Sequence, residues 1–383
     1  MKVSKVTCYP VFSGWRKNWV FVKVDTDEGI TGWGEAYSQY DRDTSVSAQV
    51  QELSRYVLGR DPFQIRHFTQ TTYDDYAQRR GSLELWCAMS GIEQALWDIV
   101  GKAVEQPVYN LLGGPVRDRI RVYANGWSYK LEEPDDFVRA ASAMVERGFT
   151  ALKFDPLPRP WRSFIPSEHE RHAERVVAAM RRELGPSIDF LIEMHRRLAP
   201  MHAIRLAERL APYDLYWFEE PCPCEDVSAL AEIRRHVSVP VVTGEALYTK
   251  AGFKPVFEHR AADIINPDVS NCGGILELVE IAAMAEAHAV AVSPHNYNST
   301  ALALSATVHA AARMPNFIIT EYFVTIEEMS RRIAPNALVP RNGYLDLPTG
   351  PGLGVEIDEA AIARSPAQRY AARTFRTIRE EGP

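Results

Sequence analysis

The sequence predicts an α/β protein built on a closed (β/α)8 barrel, with a smaller α+β region ahead of it. Three observations carry this. From residue 121 onward, short apolar segments alternate with amphipathic helix patterns, and eight of the segments qualify as strands. Carboxylates end three successive strand candidates at a 26-residue interval, Glu193 to Glu219 to Glu245. The 383 residues are 46% hydrophobic and 24% charged, enough for a globular barrel with a companion domain.

Taken in order, Trp19 to Asp25 and Ile30 to Glu35 read as a β-hairpin turning at Asp27-Glu28-Gly29. Two polar loops, 13–18 and 38–44, offer Arg16, Lys17, Tyr40 and Arg42 either to solvent or to a substrate. Ile92, Leu96, Ile99, Val100 and Ala103 recur at helical spacing, and that helix ends near Gln106-Pro107. Leu111-Leu112-Gly113-Gly114-Pro115 is strong punctuation, which places a domain boundary near residue 120. The barrel strands are expected at 121–125, 151–154, 189–193, 215–219, 240–244, 263–266, 290–293 and 317–321. Helix patterns between them include 203–210, 227–236 and 276–287. The proline-rich loop 155–166, which carries Trp161, lengthens the interval between the second and third strands. The domains are therefore expected at 1–120, 121–325 and 326–383. In the last segment, 342–348 reads as a turn and strand. The glycine-rich 350–355 leads into no helix, which excludes a phosphate loop. This tail is expected to pack back on the N-terminal domain.

The net charge of −7 excludes a general nucleic-acid binder. No apolar run reaches the roughly 20 residues that span a bilayer, and the N-terminus has no signal-peptide core. Five cysteines in a long chain fit reduced thiols in a cytoplasmic protein better than a disulfide framework. Cys222-Pro-Cys224 has no second Cys/His pair at zinc spacing.

The C-terminal strand ends of such a barrel line its active site. Read in order, they supply Lys153, Glu193 with His195, Glu219, Glu245, Asp268, His295 and Glu321. Unpaired buried carboxylates are strongly disfavoured, and a hard divalent cation relieves that cost. Glu193, Glu219 and Glu245 are all oxygen donors, which favours Mg2+, with Mn2+ as the alternative. Each glutamate taken singly could instead cap a helix or make a surface ion pair. Strand alternation offers Glu193 and His195 in one direction. Asp268 and His295 stand one β/α unit apart, so the carboxylate can orient the imidazole as a general base.

These residues carry a resemblance over nearly the whole chain. Gly32-Trp33-Gly34-Glu35, Ala95-Leu96-Trp97-Asp98, Trp217-Phe218-Glu219-Glu220-Pro221, Gly244-Glu245, Pro267-Asp268 with Gly273-Gly274, and Pro294-His295 together resemble the enolase superfamily. Within its mandelate racemase subgroup, the sequence looks most like the galactonate-type acid-sugar dehydratases. The resemblance implies an α+β capping domain formed by the N-terminal region and C-terminal tail over a modified TIM (β/α)8-type barrel. It also implies Mg2+ on Glu193, Glu219 and Glu245, Glu321 hydrogen-bonded to an enediolate, and a homo-oligomer. Two departures stand out. Glu193 replaces the family's usual aspartate. In Lys153-Phe154-Asp155, Lys153 matches the first lysine of the racemases' Lys-X-Lys, but Asp155 stands where their catalytic lysine would be.

The second departure, Asp155 in the lysine position, disfavours a two-base racemase. Lys153 remains placed to neutralise a substrate carboxylate, and His195 matches the dehydratases' general acid. The expected function is dehydration of an aldonate or aldarate to a 2-keto-3-deoxy acid, with Arg16, Lys17, Tyr40, Trp161 and Asp155 as substrate-binding candidates. A cycloisomerase, lactone-opening enzyme or epimerase on a related acid is the alternative. A non-catalytic metal-binding protein is the alternative of another class.

Overall fold

The computed structural model describes residues 1–39, 41–76, 81–159, 162–299, 301–370 and 378. The chain opens with an antiparallel sheet of β1 (Val3–Phe12), β2 (Asn18–Thr26) and β3 (Thr31–Ala36). The expected hairpin is β2–β3. β1 is not among the expected strands. Its burial does not alternate, and it is held by backbone pairing along the whole of β2. Helices α1 (Asp43–Leu53) and α3 (Leu83–Ala103) cover this sheet, α2 (Ile65–Asp75) packs on α3, and the short α4 (Val108–Leu111) follows. α3 lies so close to β3 that a Cβ on Gly34 would stand 2.1 Å from the Gly91 carbonyl oxygen. Glycine is required there by close approach.

The remaining chain alternates as expected. It runs β4 (Arg119–Asn125), α5 (Pro134–Glu146), β5 (Ala151–Phe154), α6 (Ser167–Leu184), β6 (Asp189–Glu193), α7 (Pro200–Leu210), β7 (Trp217–Glu219) and α8 (Val227–His236). Then come β8 (Val241–Thr243), α9 (Thr249–Glu258), β9 (Ile264–Ile265), α10 (Ile275–Ala287), β10 (Ala291–Val292), α11 (Leu302–Arg313) and β11 (Thr320–Phe323). The strands pair in parallel in the order β11-β4-β5-β6-β7-β8-β9-β10. Val292 bridges Phe317 in parallel, and the Ile318 N–H donates to the Val292 carbonyl at 3.0 Å. The end strand is thereby tied to the chain entering β11, and the sheet curls into a barrel.

Period-two alternation organises the barrel interior. Tyr123, Ala151, Leu191, Trp217, Val242, Ile264 and Ile319 form a buried apolar cluster of their own. Two residues further along the same strands come Asn125, Lys153, Glu193, Glu219, Asn266 and Glu321. An apolar plug therefore supports a polar layer at the C-terminal strand ends.

The tail divides its contacts between the barrel and the N-terminal region on which it was expected to pack. The strand β12 (Tyr344–Asp346) pairs antiparallel with the barrel strand β4, Leu345 opposite Ile120. The first residues of β4 extend below the ring and leave an edge for it. The glycine-rich stretch does reach the N-terminal helices: Gly352 accepts from Val108 N at 3.1 Å, and Leu353 N donates to Asp98 Oδ1 at 2.8 Å. Further on, Val11 bridges Pro366, and Gln368 is bonded in both directions to the Asn18 side chain.

Candidate active site and metal centre

Glu193, Glu219 and Glu245 each offer an oxygen, and these atoms lie within 4.8 Å of one another. Two of the three side chains end adjacent barrel strands, Glu193 opposite Glu219 in the β6–β7 register. Glu219 is fully buried, with Oε1 accepting from Lys153 Nζ at 2.8 Å and Asn266 Nδ2 at 3.0 Å, and Oε2 from Trp217 Nε1 at 2.9 Å. Lys153 Nζ also lies 3.5 Å from both Glu193 Oε2 and Glu321 Oε1. Burial alone would lower the Lys153 pKa, but the carboxylates, Glu219 first, hold the ammonium well above its ordinary value. Burial and then the Glu193 charge push Glu219 well above the usual carboxylate range, and Lys153 offsets this only in part.

Three converging buried carboxylate oxygens with this mutual repulsion suit a hard divalent cation. The donor set therefore fits Mg2+. Cys222 and Cys224 belong to no such cluster among the described residues, and all five cysteines are unpaired. Arg196 also contributes charge here: its guanidinium bonds Glu245 Oε1 and lies 3.6 Å from Glu220 Oε2.

On the opposite wall, His295 Nδ1 is 2.7 Å from Asp268 Oδ2. That contact leaves Nε2 facing Glu245 at 3.2 Å and Glu321 at 3.5 Å. Burial would lower the His295 pKa, but Glu245, Glu321 and Asp268 reverse this and raise it to about 9. Glu245, first among the raising influences, is also a candidate metal ligand, so a cation there would weaken it. Glu321 is fixed by Asn125 Nδ2 at Oε1 and by the Asn296 N–H at Oε2 (2.8 Å).

His195 departs from the strand argument. β6 ends at Glu193, and His195 and Arg196 take left-handed backbone with φ of 51° and 60°. The His195 N–H donates to Glu193 Oε1 at 2.6 Å, which anchors this turn to the carboxylate cluster. Its ring is not projected beside Glu193 as a further strand residue; Nδ1 stands 3.4 Å from Asp155 Oδ2. Asp155 Oδ1 in turn accepts from Arg197 Nη2 at 2.5 Å and Leu157 N at 3.0 Å.

The N-terminal loop reaches this end of the barrel. Lys17 is buried, and its Nζ donates to the Tyr297 carbonyl at 3.1 Å and lies 4.8 Å from the Tyr37 ring centre. The Tyr297 ring stacks on His295 with centroids 6.2 Å apart. Arg16 lies over Trp15 and Tyr129, at 4.6 and 4.7 Å from their centroids. Arg42 is exposed and pairs with Glu84, away from the carboxylates. Tyr40 and Trp161 lie outside the described residues.

Sequence reasoning left out Asn125, Asn266, Arg196, Arg197 and Tyr297. Asn125 and Asn266 were within reach of the period-two argument, since each follows its strand's apolar plug residue by two. Arg196, Arg197 and Tyr297 sit on irregular backbone beyond strand ends, where no periodicity points to them.

Comparison with known proteins agrees with this architecture. Residues 11–113 match the mandelate racemase / muconate lactonizing enzyme N-terminal domain, and residues 136–361 match the enolase C-terminal domain-like family. The chain is 36% identical to a D-galactonate dehydratase of Ralstonia pickettii (strain 12J), covering 97% of this chain and 98% of that one. It is 35% identical to a D-gluconate dehydratase of Thermoproteus tenax, covering 92% and 71% respectively. A mandelate racemase/muconate lactonizing enzyme from Sulfitobacter superposes with a TM-score of 0.90 at 32% identity, over 97% of both chains.

Proposed function

Because the chain belongs to the enolase superfamily, in the branch named for mandelate racemase and muconate lactonizing enzyme, we propose that it is a hydro-lyase. It dehydrates a sugar acid of the aldonate or aldarate type to a 2-keto-3-deoxy acid. The observation that carries this reading is the pair of carboxylate-backed histidines on opposite walls. His295 follows β10 and His195 follows β6, four strands apart in a ring of eight, with the glutamate cluster between them. An acid and a base on opposite sides suit removal of a proton from one carbon and a hydroxyl from the next.

The residues divide the reaction as follows. His295, oriented through Nδ1 by Asp268, takes the proton from C2 at Nε2. Lys153 faces the forming negative charge of the substrate carboxylate, and Glu321, held by Asn125 and Asn296, bonds the enediol form. Bound Mg2+, held by Glu193, Glu219 and Glu245, would supply the positive charge that offsets the enediolate. As the C2–C3 double bond forms, the C3–O bond breaks, and the leaving hydroxyl takes a proton from His195 and departs as water. The enol then gains a proton at C3 and becomes the ketone.

The test is a panel of aldonates, aldarates and uronates with Mg2+, assayed for 2-keto acids and for α-proton exchange in D2O. Dehydration of at least one acid is expected. His295→Asn loses both exchange and product, whereas His195→Asn loses product; each falls on the order of 10²- to 10⁴-fold. Exchange without keto acid by the wild type would point instead to a cycloisomerase or epimerase.

A further inference from the structure

The Asp268–His295 pair has a counterpart across the barrel. Asp155 follows β5, and its Oδ2 faces His195 Nδ1 at 3.4 Å. Its other oxygen is already committed to Arg197 and to the Leu157 N–H. Arg197 is itself buried, with a side-chain exposure of 7%, so the carboxylate is held from behind by a fixed cation. Burial would raise the Asp155 pKa, but Arg197 and then His195 more than reverse this and hold it at about 2. Asp155 is thus a permanent anion. The His195 backbone is held in the left-handed region, with its N–H bonded to Glu193, and this turn presents the ring to Asp155. The 3.4 Å separation exceeds an ideal hydrogen bond, and such contacts are commonly long before substrate closes the site.

Resting on the dehydratase reading, we propose that Asp155 is the positioning residue of the elimination half of the reaction. Its carboxylate accepts a hydrogen bond from the Nδ1–H of His195, so that the doubly protonated ring gives its Nε2 proton to the departing 3-hydroxyl and is left as the neutral Nδ1–H tautomer. The site then holds two Asp–His pairs, one for each bond to hydrogen or oxygen that breaks. Asp155 is in this view not a substrate ligand. Its presence where the racemases carry a base converts that position from proton transfer to support of the acid.

Wild type, Asp155→Asn and Asp155→Glu, all loaded with Mg2+, separate these roles. Asp155→Asn is expected to keep α-proton exchange within about threefold, because His295 and Asp268 are untouched, while keto-acid kcat falls on the order of 10²-fold. Asp155→Glu is expected to recover about tenfold of that loss. A second readout needs no substrate. Long-range 15N–1H spectra of histidine-labelled enzyme, followed through the loss of the ring's second proton, should show the neutral His195 as the Nδ1–H tautomer in the wild type and redistributed in Asp155→Asn. Four results would overturn the inference: wild-type turnover by Asp155→Asn, a raised KM at unchanged kcat, parallel loss of exchange and elimination, or an unchanged His195 tautomer. A wild type that exchanges but never eliminates defeats the dehydratase reading. The spectra still decide whether Asp155 sets His195.

Discussion

At Glu219 both oxygens have protein partners, yet the carboxyl is pushed well above its ordinary pKa by burial and then by Glu193. A cation that touches this group therefore gains more than ordinary carboxylate binding, because it relieves a repulsion that Lys153 does not fully offset. Mg2+ at 100 times its Kd should stabilise the fold by about 2.7 kcal/mol through linkage. Glu219→Gln should abolish that response in a thermal melt, since it removes the charge and keeps the shape. A Mg2+-dependent rise in Tm that survives in Glu219→Gln would remove the cluster as the metal centre. The convergence of Glu193, Glu219 and Glu245, the place of Lys153 among them and the Asp268–His295 pair were all legible, because strand ends recur with the β/α period. His195 was legible as a residue but not in its placement. The strand argument put it beside Glu193, whereas the left-handed backbone at 195 and 196 turns it to Asp155.

Among the elements, α10 shows what local pattern could not reveal. The first backbone N–H groups of a helix lack intrahelical partners. Those of Ile275 and Leu276 donate to Glu93 Oε2 and Oε1 at 2.7 and 2.9 Å, from a helix some 180 residues earlier. Gly274, at φ 99°, brings the chain against that carboxylate, where a Cβ would stand 2.2 Å from Glu93 Oε2. Glu93→Ala should destabilise the fold by about 2–4 kcal/mol, because it leaves two buried donors unpaired. A lowered urea midpoint at unchanged m-value would register this, and a change within about 0.5 kcal/mol would deny the cap its role. The motifs around Gly34 and Asp98 are explained in the same terms. Gln94 bonds the Glu35 N–H and carbonyl, and Asp98 accepts from Trp33 N and Leu353 N. They join the small sheet to α3 and to the C-terminal tail. The eight barrel strands could be read from apolar runs and spacing. β1 could not, because its burial does not alternate, and β12 was read as a strand but not as one paired to β4.

Across the whole molecule, His309 ties three distant parts of the chain together. It lies in α11, its Nδ1 accepts from the Tyr109 N–H at 3.2 Å, and its ring stacks on Tyr109 with centroids 5.3 Å apart. Because Nδ1 accepts, the proton sits on Nε2, which is buried without a hydrogen-bond partner among the described residues, while the Leu353 backbone of the tail acts on the ring. Burial lowers the His309 pKa from 6.5 to about 4. The unfolded chain therefore binds a proton that the native state refuses between those values, so stability rises with pH across this window. His309 contributes fully above pH 6.5, and its contribution is lost as the pH falls toward 4. A shift of that size corresponds to about 3 kcal/mol. Glu35 and Glu93, which burial raises to about 7, act with the opposite sign: they favour the native state more at low pH. The total pH profile mixes these effects, so the test is a difference. The unfolding free energy of wild type minus that of His309→Gln, followed by urea denaturation from pH 7 to pH 4, should shrink by about 3 kcal/mol toward the acid end. A difference that stays constant with pH would mean that His309 is not held neutral at this junction. Helix α4, the barrel and the tail would then be joined there by packing alone.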